Sequence, residues 1–128
     1  MVITNSIETR ISSVFLREDD ILQINIKSDN EFTIFDFNEL MDAAKEVGKG
    51  QKFLNLVIVG SNTLPDNESR IASCSESGSV YKMADAFVIK SLAQTLIANF
   101  YMKINKPFVP TKFFKNEQDA LIWLKEQR

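Results

Sequence analysis

The stretch ADAFVIKSLAQTLIANFYMKIN, residues 84–105, joins a strand pattern directly to a helix pattern. Its first part, residues 84–90, is a short apolar run of the kind found in strands that are covered on both faces. Beyond Ser91 the apolar residues follow helical spacing and spread over more than one helix face. A strand that leads into a helix is typical of α/β folds, so this stretch decides the fold class.

The chain on either side continues this alternation. Residues 52–59 form a second apolar run, and residues 29–50 carry a helical pattern with Thr33 as its cap and Gly48 at its end. Alternating apolar and polar residues over 20–27 predict a half-buried strand that forms a hairpin with the strand before it. The predicted strands are 8–19, 20–27, 52–59, 84–90 and 106–115, and the predicted helices are 29–50, 66–75, 91–105 and 116–127.

This order of elements predicts an α/β fold. An N-terminal β-hairpin followed by βα units indicates a five-stranded mixed sheet whose later strands are parallel, packed with about four helices. The length of 128 residues suits one domain and is enough to bury a core. We therefore predict a single domain over residues 1–128.

The composition is that of a soluble globular protein, with 45% apolar and 25% charged residues. No apolar run approaches the ~20 residues of a membrane span, and the first residues lack the basic-then-apolar pattern of a secretion signal. Cys74 is the only cysteine, so an internal disulfide is impossible. Together these features predict a cytoplasmic protein without stable membrane insertion.

The sequence contains no histidine. Its absence removes the commonest general base, the Ser-His and Cys-His nucleophile pairs, and every zinc site that uses histidine. With a single cysteine, a zinc site built from thiolates is excluded as well. We therefore predict a protein that is not an enzyme and that carries no cofactor or metal.

Charge is unevenly distributed along the chain. The net charge is −2, yet residues 82–115 contain six lysines and one acid, Asp85. One interpretation is an ordinary solvated face, and the other is a basic patch for an acidic partner. Nucleic acid is not the expected partner, because the chain is acidic overall, lacks a recognisable binding motif and has no arginine in this segment.

Lys90 and Ser91 lie where a strand meets a helix, a common place for phosphate binding or a reactive hydroxyl. A phosphate-binding loop requires nearby glycines, a nucleophile elbow requires Gly-x-Ser-x-Gly, and Ser-x-x-Lys chemistry requires lysine where Gln94 stands. The pattern that remains is a capping box from Ser91 to Gln94. The alternative is a cap that also helps to bind an anion.

Polar residues follow the three strands that are predicted to be parallel. Since ligands of open α/β sheets collect beyond the carboxyl ends of parallel strands, these junctions form a candidate binding edge for an acidic peptide, a phosphate or a carboxylate. The candidate residues are Gly60, Ser61, Asn62, Thr63, Lys90, Ser91, Lys115 and Asn116.

Further polar residues lie in or beside apolar segments. Asp85 precedes a buried run and needs a partner, for which Lys82 or a backbone amide is available. Asn99 interrupts the most apolar helix, either as a satisfied polar contact or at an interface. Because that helix is apolar over more than one face, Asn99 and Tyr101 are candidate interface residues of a homodimer. Cys74 is interpreted as a small, partly buried residue rather than a reactive thiol.

Residues 84–124 also carry a family resemblance. Ala84-Asp85-Ala86 opens a strand, Ala98-Asn99-Phe100 lies in the helix, and Lys106-Pro107 leads to an ending with Phe114, Ala120 and Trp123-Leu124. In these features the chain resembles the small bacterial SpoIIAA-like proteins of the STAS superfamily, over most of residues 20–126. The resemblance implies a SpoIIAA-like fold.

The resemblance also implies a type of function. STAS domains of anti-sigma-factor antagonists bind a partner kinase and are switched by phosphorylation of a serine in an Asp-Ser-Ser-Gly-Leu-like motif after the third strand. The matching junction here, VGSNTLPDNES, lacks that motif, so the phosphorylation site is not carried over to Ser61 or Thr63.

Two functions follow as expectations. The first is a non-enzymatic regulatory or protein-interaction domain, with a possible protein partner and a homodimeric state. The alternative is a carrier or sensor that binds a small apolar or anionic ligand. A carrier predicts an enclosed apolar cavity, whereas an interaction module predicts a small pocket or none.

Overall fold

A computed structural model describes residues 6–128, so that residues 1–5 of the predicted domain lie outside the described part. The strands are β1 (Ser6–Glu8), β2 (Ser12–Leu16), β3 (Ile21–Ile26), β4 (Glu31–Phe32), β5 (Phe53–Val59), β6 (Leu64–Pro65), β7 (Lys82–Val88) and β8 (Thr111–Phe114). The helices are α1 (Ile34–Val47), α2 (Asn67–Cys74), α3 (Leu92–Phe100) and α4 (Glu117–Lys125), with a 3-10 turn at Ser77–Ser79 and a π turn at Tyr101–Asn105.

Six strands form the main sheet in the order β1-β2-β3-β5-β7-β8. The two pairings among β1, β2 and β3 are antiparallel, and β3, β5, β7 and β8 run parallel. Strands β4 and β6 form a separate short parallel pair. The predicted mixed α/β fold is therefore confirmed, with six strands in the sheet rather than five.

The additional strand arises from the first predicted strand, 8–19, which bends back on itself. Thr9 makes the bend, because its backbone N–H donates to the carbonyl of Ser12 at 2.8 Å and its hydroxyl accepts from the Ser12 N–H at 3.0 Å. The buried side chain of Ile11 anchors the bend in the core. Residues before the bend thus pair with those after it as β1 and β2.

The two faces of the sheet bury different sets of residues, as the alternation of side chains along each strand requires. Leu54, Leu56 and Ala86 lie on one face, where they pack with Ala120 and Leu124 of α4. The opposite face is covered by α1, and its core is formed by residues of the sheet and of that helix. That set is Val14, Leu22, Ile24, Ala43, Ala44, Val47 and Val57.

The helix ends follow their sequence signals. The Thr33 N–H donates to Asp36 Oδ2 at 2.8 Å at the start of α1, and α1 ends at Val47, just before Gly48. Asn116 Oδ1 accepts from the Asp119 N–H at 2.9 Å at the start of α4. Among residues 6–128 no helix has the length and apolar character needed to cross a membrane.

Candidate functional site

A cavity of about 140 Å³ lies between the sheet and the helices α1, α2 and α3. Its walls are mostly apolar and come from every layer around it. The strands contribute Ile24, Val57, Phe87 and Phe113, and the helices contribute Met41 and Ile97, among others.

An aromatic cluster forms one wall of the cavity. Phe87 of β7 and Phe113 of β8 are direct neighbours in the strand register, and their rings stack with centroids 4.8 Å apart. Tyr101 meets both rings edge-on at 6.2 Å. These geometries are favourable for aromatic pairs, so the wall is stabilised by more than the apolar area it buries.

Several buried polar side chains interrupt this apolar lining. Asp85 lies two residues before Phe87 in β7 and therefore faces the same side of the sheet. Its Oδ2 is 2.7 Å from Lys82 Nζ, and its Oδ1 accepts from Asn55 Nδ2 at 3.2 Å. The side chains of Lys82 and Asp85 are only 8% and 4% exposed, so this is a buried ion pair. Asp85 therefore has the partner that it was predicted to need, and of the two alternatives this partner is Lys82.

Hydrogen bonds connect these polar side chains of the sheet to α2 and the π turn. Lys82 Nζ donates to the carbonyl of Ser73 at 2.9 Å, and the Tyr101 hydroxyl donates to Ser73 Oγ at 3.0 Å. Burial and the nearby charge of Asp85 raise the pKa of Tyr101, so its hydroxyl stays protonated and able to donate at neutral pH. The polar network, defined here as Asn55, Ser73, Lys82, Asp85 and Tyr101, thus joins the sheet to two helical segments.

Two buried polar atoms that belong to cavity-lining residues have no hydrogen-bond partner among the described residues. They are Asn55 Oδ1, an acceptor, and Arg70 Nε, a donor. A buried unpaired acceptor is costly, and native proteins rarely keep one. Asn55 Oδ1 and Arg70 Nε are therefore free to form a hydrogen bond with a bound molecule or an ordered water.

The predicted binding edge is a set of structural contacts. The residues around Gly60 and around Ser91 are brought together by Gln94, whose Nε2 donates to the carbonyls of Gly60 and Thr63 at 2.9 and 3.0 Å. Gln94 Oε1 accepts from the backbone N–H groups of Lys90 and Ser91, and Ser91 Oγ accepts from the Gln94 N–H at 3.1 Å. The predicted capping box is confirmed.

The remaining residues of this edge also make structural contacts. The hydroxyl of Thr63 is buried and donates to the Lys27 carbonyl, and Asn62 Nδ2 donates to Asp29 Oδ1 at 3.0 Å. Lys115 Nζ reaches Thr95 Oγ1 at 3.5 Å. Ser61 is half-buried and accepts through its carbonyl from the Asp29 N–H at 2.8 Å. Binding at this edge stays a prediction, and most of its polar groups already have partners within the chain.

The predicted interface pair requires a correction. Asn99 is exposed, but Tyr101 is 5% exposed and lies against the cavity, so it is not on the surface. Tyr101 follows Gln94 and Ala98 by seven and three residues and so shares their buried helix face, but because this helix is apolar on more than one face the sequence did not show which face is covered. Cys74 is half-buried, as predicted, and its thiol donates to the Ile71 carbonyl at 3.2 Å.

Sequence reasoning missed most of the polar network. A signal was available: Asn55 and Asp85 are polar residues inside the two apolar strand runs, and they are opposite each other in the register. A polar residue inside each of two neighbouring buried strands indicates a contact between them. No comparable signal marked Ser73, which follows a weak helical pattern.

Among residues 6–128, the outer side of α3 and of the π turn after it carries the longest run of exposed large apolar side chains on any helix. We define the α3 stripe as Leu92, Leu96, Phe100 and Ile104, which are 76%, 61%, 42% and 63% exposed. Residues 86–116, which include the stripe, contain five lysines and no acid.

Among residues 6–128, no three His, Cys, Asp or Glu side chains are close enough together to hold a metal ion.

Comparison with known proteins identifies the family and the fold. The model of the family described as "Domain of unknown function (DUF7793)" matches residues 14–128. The solved structure of an uncharacterized protein from the DUF3478 family with a SpoIIAA-like fold, from Shewanella loihica PV-4, is 16% identical with a TM-score of 0.58. The match covers 92% of this chain and 98% of that one. No curated protein matches. The chain belongs to the DUF7793 family and has a SpoIIAA-like fold.

Proposed function

We propose that this DUF7793 domain acts by binding a small, mainly apolar ligand in the cavity beneath α3, as a carrier or sensor. The observation that carries the proposal is the cavity itself, which is lined mostly by apolar side chains and has polar groups at Asn55 and Asp85. Ligand sites in proteins typically combine apolar walls with a few polar groups that fix orientation. An interaction module without a ligand does not require such a cavity.

The volume limits the size of the ligand. At about 140 Å³ the cavity is close to the ~150 Å³ apolar cavities that hold benzene. It is well below the roughly 300–1,000 Å³ of pockets for drug-sized molecules. The proposed ligand is therefore a single ring or a short branched chain.

Binding rather than catalysis is the function that the polar network supports. Ser73 Oγ lies 3.3 Å from Lys82 Nζ, a pairing that can activate a serine when the lysine is a free amine. Here Lys82 is ion-paired with Asp85, and an ammonium group has no lone pair with which to accept a proton. The raised pKa of Tyr101 likewise disfavours a phenolate base. We propose on these grounds that the domain is not an enzyme.

The test uses toluene as the probe and NMR chemical shifts as the readout. Ala98→Leu adds volume to the cavity wall, and Ala93→Leu makes the same change at an exposed position of the same helix. We expect saturable binding to the wild type and to Ala93→Leu, and none to Ala98→Leu. If toluene does not bind the wild type, or binds Ala98→Leu equally well, the cavity is not a ligand site.

A regulatory contact with an acidic protein is a second candidate, and the α3 stripe favours it. An exposed apolar patch of this kind commonly marks an interaction surface. Because residues 86–116 carry five lysines and no acid, a partner with acidic residues is electrostatically favoured over a second copy of this segment. The homodimer therefore stays a prediction, which light scattering at micromolar concentration checks.

An acidic amphipathic peptide and a basic peptide with the same apolar residues test this candidate. We expect only the acidic peptide to bind, more weakly as salt is added, and Leu96→Glu to abolish binding. Ile122→Glu on α4 is the matched control, since Ile122 is 57% exposed and lies outside the stripe. Equal binding of both peptides would exclude a charge-selective surface.

A further inference from the structure

We infer that Asn55 determines the specificity of the cavity, and that the cavity prefers neutral ligands with a hydroxyl or N–H donor over hydrocarbons and carboxylates. The inference deepens the proposed function and rests on it. It depends on three observations: the orientation of the Asn55 amide, the buried acceptor that this orientation leaves free, and the charges beside it.

The orientation of the Asn55 amide follows from chemistry. The neighbouring group is the carboxylate of Asp85, which is paired with Lys82 and can only accept hydrogen bonds. The amide nitrogen of Asn55 therefore faces Asp85, at 3.2 Å from Oδ1. A flipped amide would bring two acceptors together. The amide oxygen consequently points away from Asp85.

That oxygen has no partner in the described part of the chain, although Asn55 is only 6% exposed. Asn55 lines the cavity, and Val57 and Val59, the next residues on its face of β5, offer no donor. A ligand that carries a donor would restore the hydrogen bond that folding removes from this oxygen. A pure hydrocarbon would leave the oxygen unpaired.

The charges explain the preference for a neutral ligand. The positive charge of Lys82 is already balanced by Asp85. A carboxylate ligand beside Asn55 would be repelled by the charge of Asp85, and it has no hydrogen to donate to the amide oxygen of Asn55. Arg70 is the competing recognition group, because its Nε is buried without a partner among the described residues. Its other nitrogens donate to the carbonyl of Pro65 at 2.8 Å and to Asn67 Oδ1 at 3.3 Å.

The experiment compares two pairs of probes of matched shape. Phenol and toluene differ by a hydroxyl against a methyl group, and benzamide and benzoate differ by a neutral amide against a carboxylate. We expect phenol to bind about tenfold more tightly than toluene, since one recovered hydrogen bond to a buried acceptor has roughly that effect. Benzamide should bind more tightly than benzoate by a similar factor.

Two variants assign the effect to one residue. Asn55→Leu should weaken the preference for phenol, because the phenol hydroxyl then loses the amide oxygen and meets only the carboxylate of Asp85, which keeps its ion pair with Lys82. Tyr101→Phe removes the nearby hydroxyl and should keep the preference for phenol. Asn55→Leu also removes a donor from Asp85, so Asn55→Ser is measured beside it. If neither Asn55 variant folds, the wild-type ratios still test the preference for neutral donors, and Tyr101→Phe tests the other candidate partner of the phenol hydroxyl.

The outcomes separate this inference from the proposed function. If toluene binds the wild type as tightly as phenol, Asn55 does not select the ligand and the cavity remains an apolar site. Tighter binding of benzoate than of benzamide assigns recognition to Arg70 and overturns the inference. The same holds if Tyr101→Phe, and not Asn55→Leu, abolishes the phenol preference. If none of the four probes binds, the proposed function itself fails.

Discussion

Replacing Lys82 with methionine tests whether the polar network is held together by a buried charge pair. The substitution keeps most of the apolar stem but removes the ammonium that lies 2.7 Å from Asp85 Oδ2. Asp85 would then keep only Asn55 Nδ2, at 3.2 Å, as a side-chain donor. The consequence is a buried carboxylate without a compensating charge.

The expected cost is large. Breaking a buried ion pair by removing one partner destabilises a protein by about 3–5 kcal/mol. Because domains of this size unfold with roughly 5–15 kcal/mol, Lys82→Met should remove a substantial fraction of the total stability. Urea denaturation followed by circular dichroism measures the loss. Lys125→Met is the matched control, since Lys125 is half exposed and 3.8 Å from Asp19, and should cost under about 1 kcal/mol.

A second substitution separates the charge from the lost packing. In the double variant Lys82→Met/Asp85→Asn, the buried group is neutral and can still accept from Asn55. We expect the double variant to be more stable than Lys82→Met alone, although it carries one more substitution. The reasoning is refuted if Lys82→Met costs no more than Lys125→Met, or if the double variant is the less stable of the two.

Three further predictions concern single residues. The Arg10 guanidinium lowers the pKa of Asp36, so the stabilisation from Asp36 should be complete above about pH 4, its unfolded value, and be lost as pH falls further. Urea titrations of the wild type and Asp36→Asn should therefore converge in acid. Ser91→Ala should lower the unfolding free energy by about 1 kcal/mol and leave toluene affinity unchanged. A Cβ at Gly60 would lie 2.6 Å from the Ile26 carbonyl oxygen, so Gly60→Ala should markedly lower the melting temperature.

Each of these has a contrary result. If the unfolding free energies of the wild type and Asp36→Asn differ by the same amount from pH 7 to pH 2, the ion pair with Arg10 is not the cause of the stabilisation. Loss of toluene binding in a stable Ser91→Ala protein would show that the helix cap also serves the site. If Gly60→Ala has the same melting temperature as the wild type, the strand end can move aside to accommodate the added Cβ.

The fold could be predicted from the sequence because strands and helices have different periods. Residues 52–59 and 84–90 are short apolar runs with helical patterns after them, and this alone favours parallel strands covered by helices. The bend that splits the first strand was missed because Thr9, Arg10 and Ile11 include no glycine or proline. A threonine that makes both bonds of a turn leaves no distinctive mark in one sequence.

The site was predictable only in part. Asp85 needed a partner because a buried carboxylate is costly, and of the two partners that the sequence offered, Lys82 or a backbone amide, the structure shows Lys82. The cavity was not predictable, since its volume depends on how far the helices stand from the sheet, and periodicity does not fix this distance. Tyr101 was misplaced because the helix is apolar on more than one face, so its spacing from Gln94 and Ala98 did not show that theirs is the buried face.

The attachment of α2 has a consequence for how the cavity is reached. Ser69 is the one fully buried residue of this helix, and the bonds of Ser73 to Lys82 and Tyr101 connect it to the rest of the fold. A segment held by polar contacts, with little buried apolar surface, opens at a lower free energy than the core strands do. Amide hydrogen exchange should therefore be faster in α2 than in β5 or β7. Because α2 contributes residues to the cavity wall, its local opening would widen access to the cavity while the sheet stays folded.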